Sequence, residues 1–435
     1  MDKYIKEKVA ELTPATVTRR RDFHKHPEPG WTEFRTASIA MQKVKELGYK
    51  ITMGKDAVAQ SEMMGVPSPE KLKKEQERAI AQGGVKELIE QMDGGLTGFW
   101  ADMDFGTPGP KLAIRVDMDS NDGNESKDSK HRPVRDGFVS VNNGAMHTCG
   151  HDAHTAIGMA VAEIVAGMKD QLKGSIRLIF QPAEEGLRGA GPMVAAGAVK
   201  DVDAIVGLHI GFQADKAGKI VCGSKGFLAS TKWDVTFKGE PAHAGAAPQE
   251  GKNALLAASV AALNLHAISR HGDGVTRINV GKLVAGEGRN VVPPNALLVM
   301  ETRGVTSELN DYMVKEAGRI VKAAAEMWDC EYSIEVMGGT KSGESSQEMI
   351  DRAISAARKV PFYTEIEGLK DFGAGEDYAH MMSEVQRNGG IGTYIQVGVN
   401  RAAGHHNSAF DFEEDGLPPA LELVAHMVYD YLKKD

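Results

Sequence analysis

The stretch KLAIRVD at residues 111–117 is short, rich in β-branched residues and ends in a carboxylate, and it decides how the rest of the chain is interpreted. Two further runs share its character, SIRLIF at 175–180 and AIVGL at 204–208. The apolar residues of segment 155–168, which lies between the first two runs, predict a helix. Buried strands that alternate with helices predict an α/β layered domain with a largely parallel sheet.

Each of the three runs is followed by groups that can carry chemistry. Asp117 and Asp119 follow the first run, residues 181–185 (QPAEE) follow the second, and His209 follows the third. In open α/β sheets, ligands and catalytic groups collect at the carboxyl ends of the strands. We therefore expect the functional site at this edge of the sheet.

The order of elements changes at about residue 224. From there to about residue 337, alternation and helical spacing predict strand, helix, two strands, helix and strand. This order is the split ferredoxin-like unit. The predicted architecture is a catalytic α/β/α domain with a mostly parallel sheet, formed by residues 1–223 and 339–435, and an inserted ferredoxin-like α+β lid or dimerisation domain at 224–338.

Smaller elements are predicted around this frame. Helical spacing marks the first residues of the chain and segment 33–47, which ends at a glycine suited to a helix C-terminus. The polar, charge-paired segment 56–92 predicts one or two exposed helices inserted into the catalytic domain. Glycines and serines at 338–346 predict a linker back to that domain.

Length, net charge, apolar runs and cysteine content together limit the classes of protein to which this chain can belong. A chain of 435 residues favours two domains, and a net charge of −9 argues against a nucleic-acid partner. The N-terminus lacks the apolar core of a signal peptide, and no apolar run is long enough to span a bilayer. Three widely spaced cysteines argue against a disulfide framework and for a reducing compartment. We expect a cytoplasmic protein that does not associate with membranes.

The segment MHTCGHDAH at 146–154 is the richest in metal-binding side chains. A thiolate from Cys149 and an imidazole from His151 suit divalent first-row metals, and Gly150 would let the backbone turn so that both converge. The alternative is a cysteine buried in the core beside histidines that cap a helix.

The adjacent carboxylates Glu184 and Glu185 lie in QPAEEG at 181–186. Two neighbouring carboxylates are costly at a strand end unless a cation or separate partners hold them. One interpretation is a division of labour, in which one glutamate binds metal and the other takes a proton from water. The alternative is a solvated acidic turn.

Further polar groups carry weak signals when each is considered alone. His209 ends an apolar strand, where a histidine is more often a satisfied core residue. GHHNSAF at 404–410 and PAHAGAAP at 241–248 place histidines in loops, and Asn290 and Arg303 lie beside predicted strands. A surface loop is the alternative for the loop histidines, and asparagine and arginine are common surface residues.

Taken together, these motifs resemble the amidohydrolase branch of the aminoacylase and glutamate-carboxypeptidase superfamily of dinuclear metallohydrolases. The matching segments occur in order along nearly the whole chain: RRRDFHKHPEPGWTEFRTA, HTCGHDAHT, QPAEEG, GLHI, PAHAGAAP, RNVVP and GHHNSAFDFEE. One departure follows the first strand, where the family pattern is Asp-Met-Asp-Ala-Leu-Pro. Here Asp117 and Asp119 persist but are followed by Ser120 and Asn121, which leaves the wall of the pocket open to question.

The resemblance implies roles for individual residues. Glu184 would be the general base and later the acid. His243 would stabilise the oxyanion, often in the active site of a partner chain, while Asn290 and Arg303 would contact the substrate carboxylate or the tetrahedral intermediate. The ligands of two divalent metal ions, manganese or zinc, would be Cys149, His151, Glu185, His209 and His406. His406 is preferred to His405 because of its spacing to Phe410.

The resemblance also implies a reaction, the hydrolysis of the amide bond of a small N-acyl amino acid. The first expected substrate is p-aminobenzoyl-glutamate, which would give p-aminobenzoate and glutamate. One alternative is a general hydrolase of hippurate-type or auxin-type conjugates. Another is a metal-binding subunit that is silent without a paralogous partner, and we expect either a homodimer or such a heteromer.

Overall fold

A computed structural model of the protein describes residues 1–435. The chain forms two compact units. The first, here the α/β unit, comprises Met1–Gly226, Gly343–Phe372 and Asp377–Asp435, and the second, here the inserted unit, comprises Phe227–Ser342 and Gly373–Glu376. No helix combines the length and the apolar character needed to cross a bilayer.

Fourteen strands and twelve α-helices make up the two units. The strands are β1 (Lys50–Met53), β2 (Phe99–Asp104), β3 (Lys111–Asp117), β4 (Asn121–Asp122), β5 (Ala145–Met146), β6 (Ser175–Gln181), β7 (Ala204–Ile210), β8 (Lys219–Lys225), β9 (Ala229–Lys238), β10 (Thr276–Ala285), β11 (Asn295–Gly304), β12 (Glu331–Thr340), β13 (Glu365–Asp371) and β14 (Ile391–Val397). The helices are α1 (Asp2–Lys25), α2 (Phe34–Glu46), α3 (Pro69–Ala81), α4 (Lys86–Ile89), α5 (Arg132–Arg135), α6 (His151–Met168), α7 (Ala190–Ala195), α8 (Ala254–His266), α9 (Ser307–Met327), α10 (Gln347–Ala357), α11 (Tyr378–Arg387) and α12 (Leu417–Leu432).

The α/β unit is built on an eight-stranded sheet in the order β1-β2-β6-β3-β7-β14-β8-β13. Its centre, β6-β3-β7-β14, is parallel, as is the pair β8-β13, whereas β1-β2, β2-β6 and β14-β8 are antiparallel. Every residue of β7 is buried. Because alternate side chains of a strand point to opposite faces, both faces of the sheet are covered. The predicted mostly parallel α/β class is confirmed.

Helices pack on the sheet in two groups. Helices α1, α6 and α12 contact one another, and α10 contacts α12. Helices α7 and α11 contact each other, and α11 packs on β7 and β14. Helix α6 begins at His151, four residues earlier than the sequence pattern predicts. Gly150 precedes it with a φ of 100°, a left-handed conformation that glycine adopts without strain. The cysteine–histidine motif therefore lies at the start of a buried helix.

The insertion at 56–92 is less exposed than predicted. Its two helices, α3 and α4, bury Leu72, Ala79 and Ile89 in the same core as the sheet. Most of the exposed positions in the two helices are charged. The prediction of exposed helices is wrong for their apolar face, which packs on α2.

The inserted unit contains an antiparallel sheet in the order β10-β11-β9-β12. Helices α8 and α9 pack on each other and on this sheet, which gives the predicted β-α-β-β-α-β arrangement. Gly338 and Gly339 belong to β12, where a bulge follows Val336, so their prediction as linker residues is wrong. A Cβ on Gly339 would lie 2.7 Å from the carbonyl oxygen of Ser230, which explains a glycine inside a strand. The role of this unit as a lid or dimerisation domain stays a prediction.

Candidate active site and metal centre

The predicted ligands of the α/β unit converge at the carboxyl edge of its parallel strands. Glu184 and Glu185 follow β6, and His209 is the penultimate residue of β7. Cys149 and His151 enter at the start of α6, and His406 lies in the loop after β14. The parallel register pairs His209 with Gln396 of β14, so loops from adjacent strands meet at one place.

Short distances link the five side chains. The Sγ of Cys149 lies 3.4 Å from Nε2 of His209. One carboxylate oxygen of Glu185 lies 3.8 Å from Nε2 of His151, and the other lies 3.2 Å from Nε2 of His406. Cys149 belongs both to a group with His151 and His209 and to a group with Glu185 and His406. The structure thus brings all five residues together, with Cys149 common to both groups.

The donor atoms fit a divalent metal. At metal–ligand bonds of about 2.0–2.3 Å and tetrahedral angles, donor atoms lie about 3.3–3.8 Å apart. The three separations above, 3.2, 3.4 and 3.8 Å, are close to this range. Nε2 of His151 and Oε1 of Glu185 are buried and have no hydrogen-bond partner. Leaving such atoms unsatisfied is expensive. A cation between them would satisfy both.

Hydrogen bonds turn the histidines toward the common point. Nδ1 of His209 donates to the carbonyl oxygen of Ile210 at 2.9 Å, and Nδ1 of His151 donates to the carbonyl oxygen of Asp119 at 3.0 Å. Each neutral ring then presents an unprotonated Nε2, the form that binds metal. The carboxylate of Asp119 also accepts from the backbone N–H of Glu185 at 2.9 Å. Asp119 therefore positions two predicted ligands, a role that its place after β3 did not reveal.

The neighbouring His405 makes different contacts. Its Nε2 accepts from the backbone N–H of Phe212 at 3.4 Å, and its Nδ1 faces the Sγ of Cys149 at 3.7 Å. This arrangement places the ring proton on Nδ1, directed at sulfur, which leaves His405 without a free lone pair for a metal. The geometry therefore favours His406 as the ligand. The φ of His406 is 62°, a strained conformation of the kind found at functional sites.

Burial and neighbouring charges shift the pKa values of three predicted ligands. Burial, aided by the Glu185 carboxylate, raises the pKa of the Cys149 thiol well above its ordinary value. Burial, aided by the neighbouring His154, lowers the pKa of His209 well below its ordinary value. Burial also opposes the charged form of His151, but Asp117 and the hydrogen bond to Asp119 raise its pKa overall. A bound cation would favour the thiolate, since that is the form that binds metal.

Glu184 lies beside the ligands. One of its carboxylate oxygens is 3.9 Å from Nε2 of His151, and the residue is only 6% exposed. The turn that carries it contains Ala183 and Leu187, whose φ angles of 52° and 58° are left-handed. The backbone N–H of Ala183 donates to the buried carboxyl group of Glu33 at 2.8 Å. This support holds Glu184 near the ligands, where a general base is needed.

A buried ionic network lies behind the site. Nε of Arg20 lies 2.8 Å from Asp152. The ring of His24 bonds to Asp152 at 2.9 Å and to Glu125 at 2.8 Å. Burial opposes the charged form of His24, yet these two carboxylates raise its pKa overall. The N-terminal motif that contains Arg20 and His24 gives no sign of this network, because the partners are more than 100 residues away.

The inserted unit places its predicted site residues in two locations. The backbone N–H of Ala244 donates to the carbonyl oxygen of Asn290 at 3.0 Å, so His243 and Asn290 lie on adjacent segments. Nδ1 of His243 accepts from Gly245 and Ala246, which leaves Nε2–H as an exposed donor. Arg303 lies in the second location. It is eight residues from Asn295, the first residue of β11, which corresponds to about 26 Å at 3.3 Å per residue.

Arg303 has an internal partner. Its guanidinium forms two hydrogen bonds with the Glu301 carboxylate, at 2.9 and 3.1 Å. The roles of His243, Asn290 and Arg303 stay predictions. The structure groups the first two and pairs the third with a carboxylate.

Comparison with known proteins agrees with this geometry. The model of peptidase family M20/M25/M40 matches residues 113–430. Two relatives are each 45% identical, with 97% of both chains covered: indole-3-acetyl-aspartic acid hydrolase of Enterobacter agglomerans, over 422 residues, and the A component of p-aminobenzoyl-glutamate hydrolase of Escherichia coli (strain K12), over 424 residues. The crystal structure of the aminobenzoyl-glutamate utilization protein from Klebsiella pneumoniae has a TM-score of 0.85 and 40% identity, covering 98% of this chain and 97% of that one.

These matches confirm the resemblance seen in the motifs. They span nearly the whole chain, including both units, so they do not rest on one shared domain. The chain belongs to peptidase family M20/M25/M40 and is a metal-dependent hydrolase.

Proposed function

We propose that this chain hydrolyses the amide bond of an N-acyl acidic amino acid, with p-aminobenzoyl-glutamate as the first substrate and p-aminobenzoate and glutamate as products. The observation that carries the proposal is the meeting of Cys149, His151, Glu185, His209 and His406, with Glu184 beside them. The names of the two relatives give further support, since each describes an aromatic acyl group joined to glutamate or aspartate.

The five ligands would hold two divalent ions, manganese or zinc. The thiolate of Cys149 and the three imidazoles suit zinc, and the carboxylate of Glu185 suits zinc or manganese. Cys149 belongs to both groups of donors, so its loss would weaken both. When bound, such a pair supplies Lewis acidity that polarises the scissile carbonyl and makes water more acidic.

The chain's own residues would perform the proton transfers. The Glu184 carboxylate takes a proton from the attacking water as the new C–O bond forms. It then gives that proton to the amide nitrogen, so that the C–N bond breaks and the amino acid leaves with a neutral amine. The carboxylate ends in its starting state, which balances the cycle.

The oxyanion would be met by donors of the inserted unit. Nε2–H of His243 and the side-chain amide of Asn290 are the candidates, from the same chain or from a partner. Loss of one such donor typically costs about 2.7–4 kcal/mol of barrier. We further propose that the chain works as a homodimer or with a paralogous partner, since the similar protein of Escherichia coli is named as one subunit of its hydrolase.

Indole-3-acetyl-aspartate is the second candidate substrate, because the Enterobacter relative is equally similar. The decisive assay uses the purified full-length chain alone, loaded with manganese or zinc. It compares p-aminobenzoyl-glutamate, indole-3-acetyl-aspartate and hippurate. We expect turnover of at least one acidic conjugate, faster than that of hippurate.

The matched control is Glu184→Gln, which keeps the shape of the side chain and removes the base. We expect unchanged metal content and a loss of turnover of at least about 10²-fold. Near-normal rates in this variant would show that Glu184 is not the base. Absence of turnover by the chain alone, restored by a paralogous partner, would instead favour the silent-subunit alternative.

A further inference from the structure

Arg401 lies in the loop that joins β14 to the predicted ligand His406. Its side chain is partly buried, and it forms no hydrogen bond or ion pair with another side chain. A solvated surface arginine would need no explanation. Arg401 differs because its guanidinium is packed against the residues that follow His209.

Gly211 shows how closely the guanidinium approaches. This glycine has a φ of 90°. A Cβ added to it would lie 2.7 Å from Nε2 of His405 and 3.2 Å from Nη1 of Arg401. The space beside Gly211, two residues after His209, is therefore filled by an imidazole and a guanidinium. The same His405 ring reaches within 3.7 Å of the Cys149 sulfur, so Arg401 borders the metal cluster.

Several other arginines near the site or in the inserted unit have carboxylate partners. Arg20 pairs with Asp152 and Asp411, and Arg115 pairs with Asp117. Arg303, the residue predicted to contact a substrate carboxylate, is engaged by Glu301. Arg188, in the loop after β6, also lacks a carboxylate partner, but it donates to the carbonyl oxygen of Gly65 at 3.2 Å. Arg401 has no such hydrogen bond, so its charge stays available for a ligand.

The chemistry of a guanidinium in this place suits a carboxylate. Its planar fork of donors binds carboxylates through two parallel hydrogen bonds. In an N-acyl glutamate the side-chain carboxylate carbon lies four bonds from the amide nitrogen, at most about 5 Å at bond lengths of about 1.5 Å. A leaving glutamate held at the metal cluster would therefore place its side-chain carboxylate within about 5 Å of the scissile amide nitrogen.

We propose that Arg401 binds the side-chain carboxylate of the leaving amino acid and sets the preference for acidic conjugates. The inference rests on the proposed function and adds the residue that determines specificity. It predicts that the charge of Arg401 matters for glutamate and not for glutamine, which has the same shape but a neutral side chain.

The test compares p-aminobenzoyl-glutamate with p-aminobenzoyl-glutamine in the metal-loaded full-length protein. For the wild type we expect kcat/KM to favour the glutamate compound. In Arg401→Gln we expect kcat/KM for this compound to fall about 10- to 100-fold, the usual effect of a charge-assisted hydrogen bond, with the glutamine compound changed less than about twofold. Arg401→Lys should keep part of the preference. The control Arg387→Gln removes an exposed arginine that lies before β14, at the opposite end of that strand, and should leave the preference intact.

A binding measurement separates this proposal from the proposed function. In the Glu184→Gln background, calorimetry gives the dissociation constants of both compounds without turnover. If adding Arg401→Gln abolishes the preference for the glutamate compound, the proposal is supported, even when the wild type hydrolyses neither compound. Inactivity of the wild type on both compounds would overturn only the proposed function. Equal weakening of both compounds, an unchanged preference, or no preference in the parent protein overturns the role of Arg401.

Discussion

Replacing Asp152 with asparagine tests the buried ionic network behind the site. The substitution keeps the shape of the side chain and removes its charge. Asp152 is 1% exposed and lies 2.8 Å from Nε of Arg20. It also bonds to the imidazole of His24 at 2.9 Å. The change therefore takes one carboxylate from two buried cations.

The expected magnitude follows from these contacts. Breaking a buried pair by removing one partner costs about 3–5 kcal/mol. Arg20 keeps Asp411 at 2.9 Å and Glu414 at 3.2 Å, so the cost should lie near the lower limit. An unfolding entropy of about 2.1 cal/mol/K per residue converts about 3 kcal/mol into a fall of about 3 °C in the melting temperature of this 435-residue chain.

Differential scanning calorimetry of Asp152→Asn and Glu163→Gln measures this effect. Glu163 lies on the same helix, α6, and pairs with Arg19 and Lys43, but its side chain is 16% exposed. More exposed pairs contribute about 0–1 kcal/mol, so the control should lower the melting temperature by about 1 °C or less. If Asp152→Asn costs no more than Glu163→Gln, the network does not stabilise the fold as we argue.

Three further predictions concern the site. Burial, together with the carboxylate of Asp119, raises the pKa of Glu33 to about 8. Folding therefore favours the protonated form of Glu33. The stability that Glu33 contributes is complete below the unfolded pKa of about 4.5 and is lost as the pH rises toward 8. Denaturant titrations of the wild type and Glu33→Gln measure this effect. The free energy of unfolding of the wild type, relative to that of Glu33→Gln, should fall by up to about 4 kcal/mol between pH 4.5 and 8. A difference in unfolding free energy that stays constant or rises over this range would contradict the argument. His243→Ala should lower kcat by about 10²–10³-fold at unchanged metal content, whereas a change in KM alone would mean that His243 only binds substrate. Chelation should lower the melting temperature by several degrees, because ions that bind only the folded state stabilise it, and adding manganese or zinc should reverse the loss.

Much of the fold could be predicted from local patterns. The three runs that end at Asp117, Phe180 and Leu208 mark strands, and their carboxyl ends lie at one edge because the strands are parallel. Convergence of side chains from distant segments followed from that geometry and from the motifs. The residues at which helices and strands begin or end could not be predicted where they depend on local backbone conformation. The left-handed φ of Gly150 starts α6 early, and the bulge after Val336 extends β12 through two glycines.

Side-chain contacts between residues that are far apart in the sequence could not be predicted either. Asp152 and His24 are 128 residues apart, and each alone looks like an ordinary polar residue. The engagement of Arg303 by Glu301 needs the strand geometry that puts residues two apart on one face. The partners of an arginine can lie far away in the sequence, as those of Arg20 do, so the sequence could not show that Arg401 has none.

The count of metal ions bound per chain tests the central claim most directly. Elemental analysis of the full-length wild type, dialysed after loading with manganese or zinc, should give two ions per chain. Cys149→Ala should lose both, because its sulfur belongs to both groups of donors, while Cys222→Ala, a change of another buried cysteine, should keep two. A wild type that retains no metal, or a Cys149→Ala variant that retains both ions, would contradict the account.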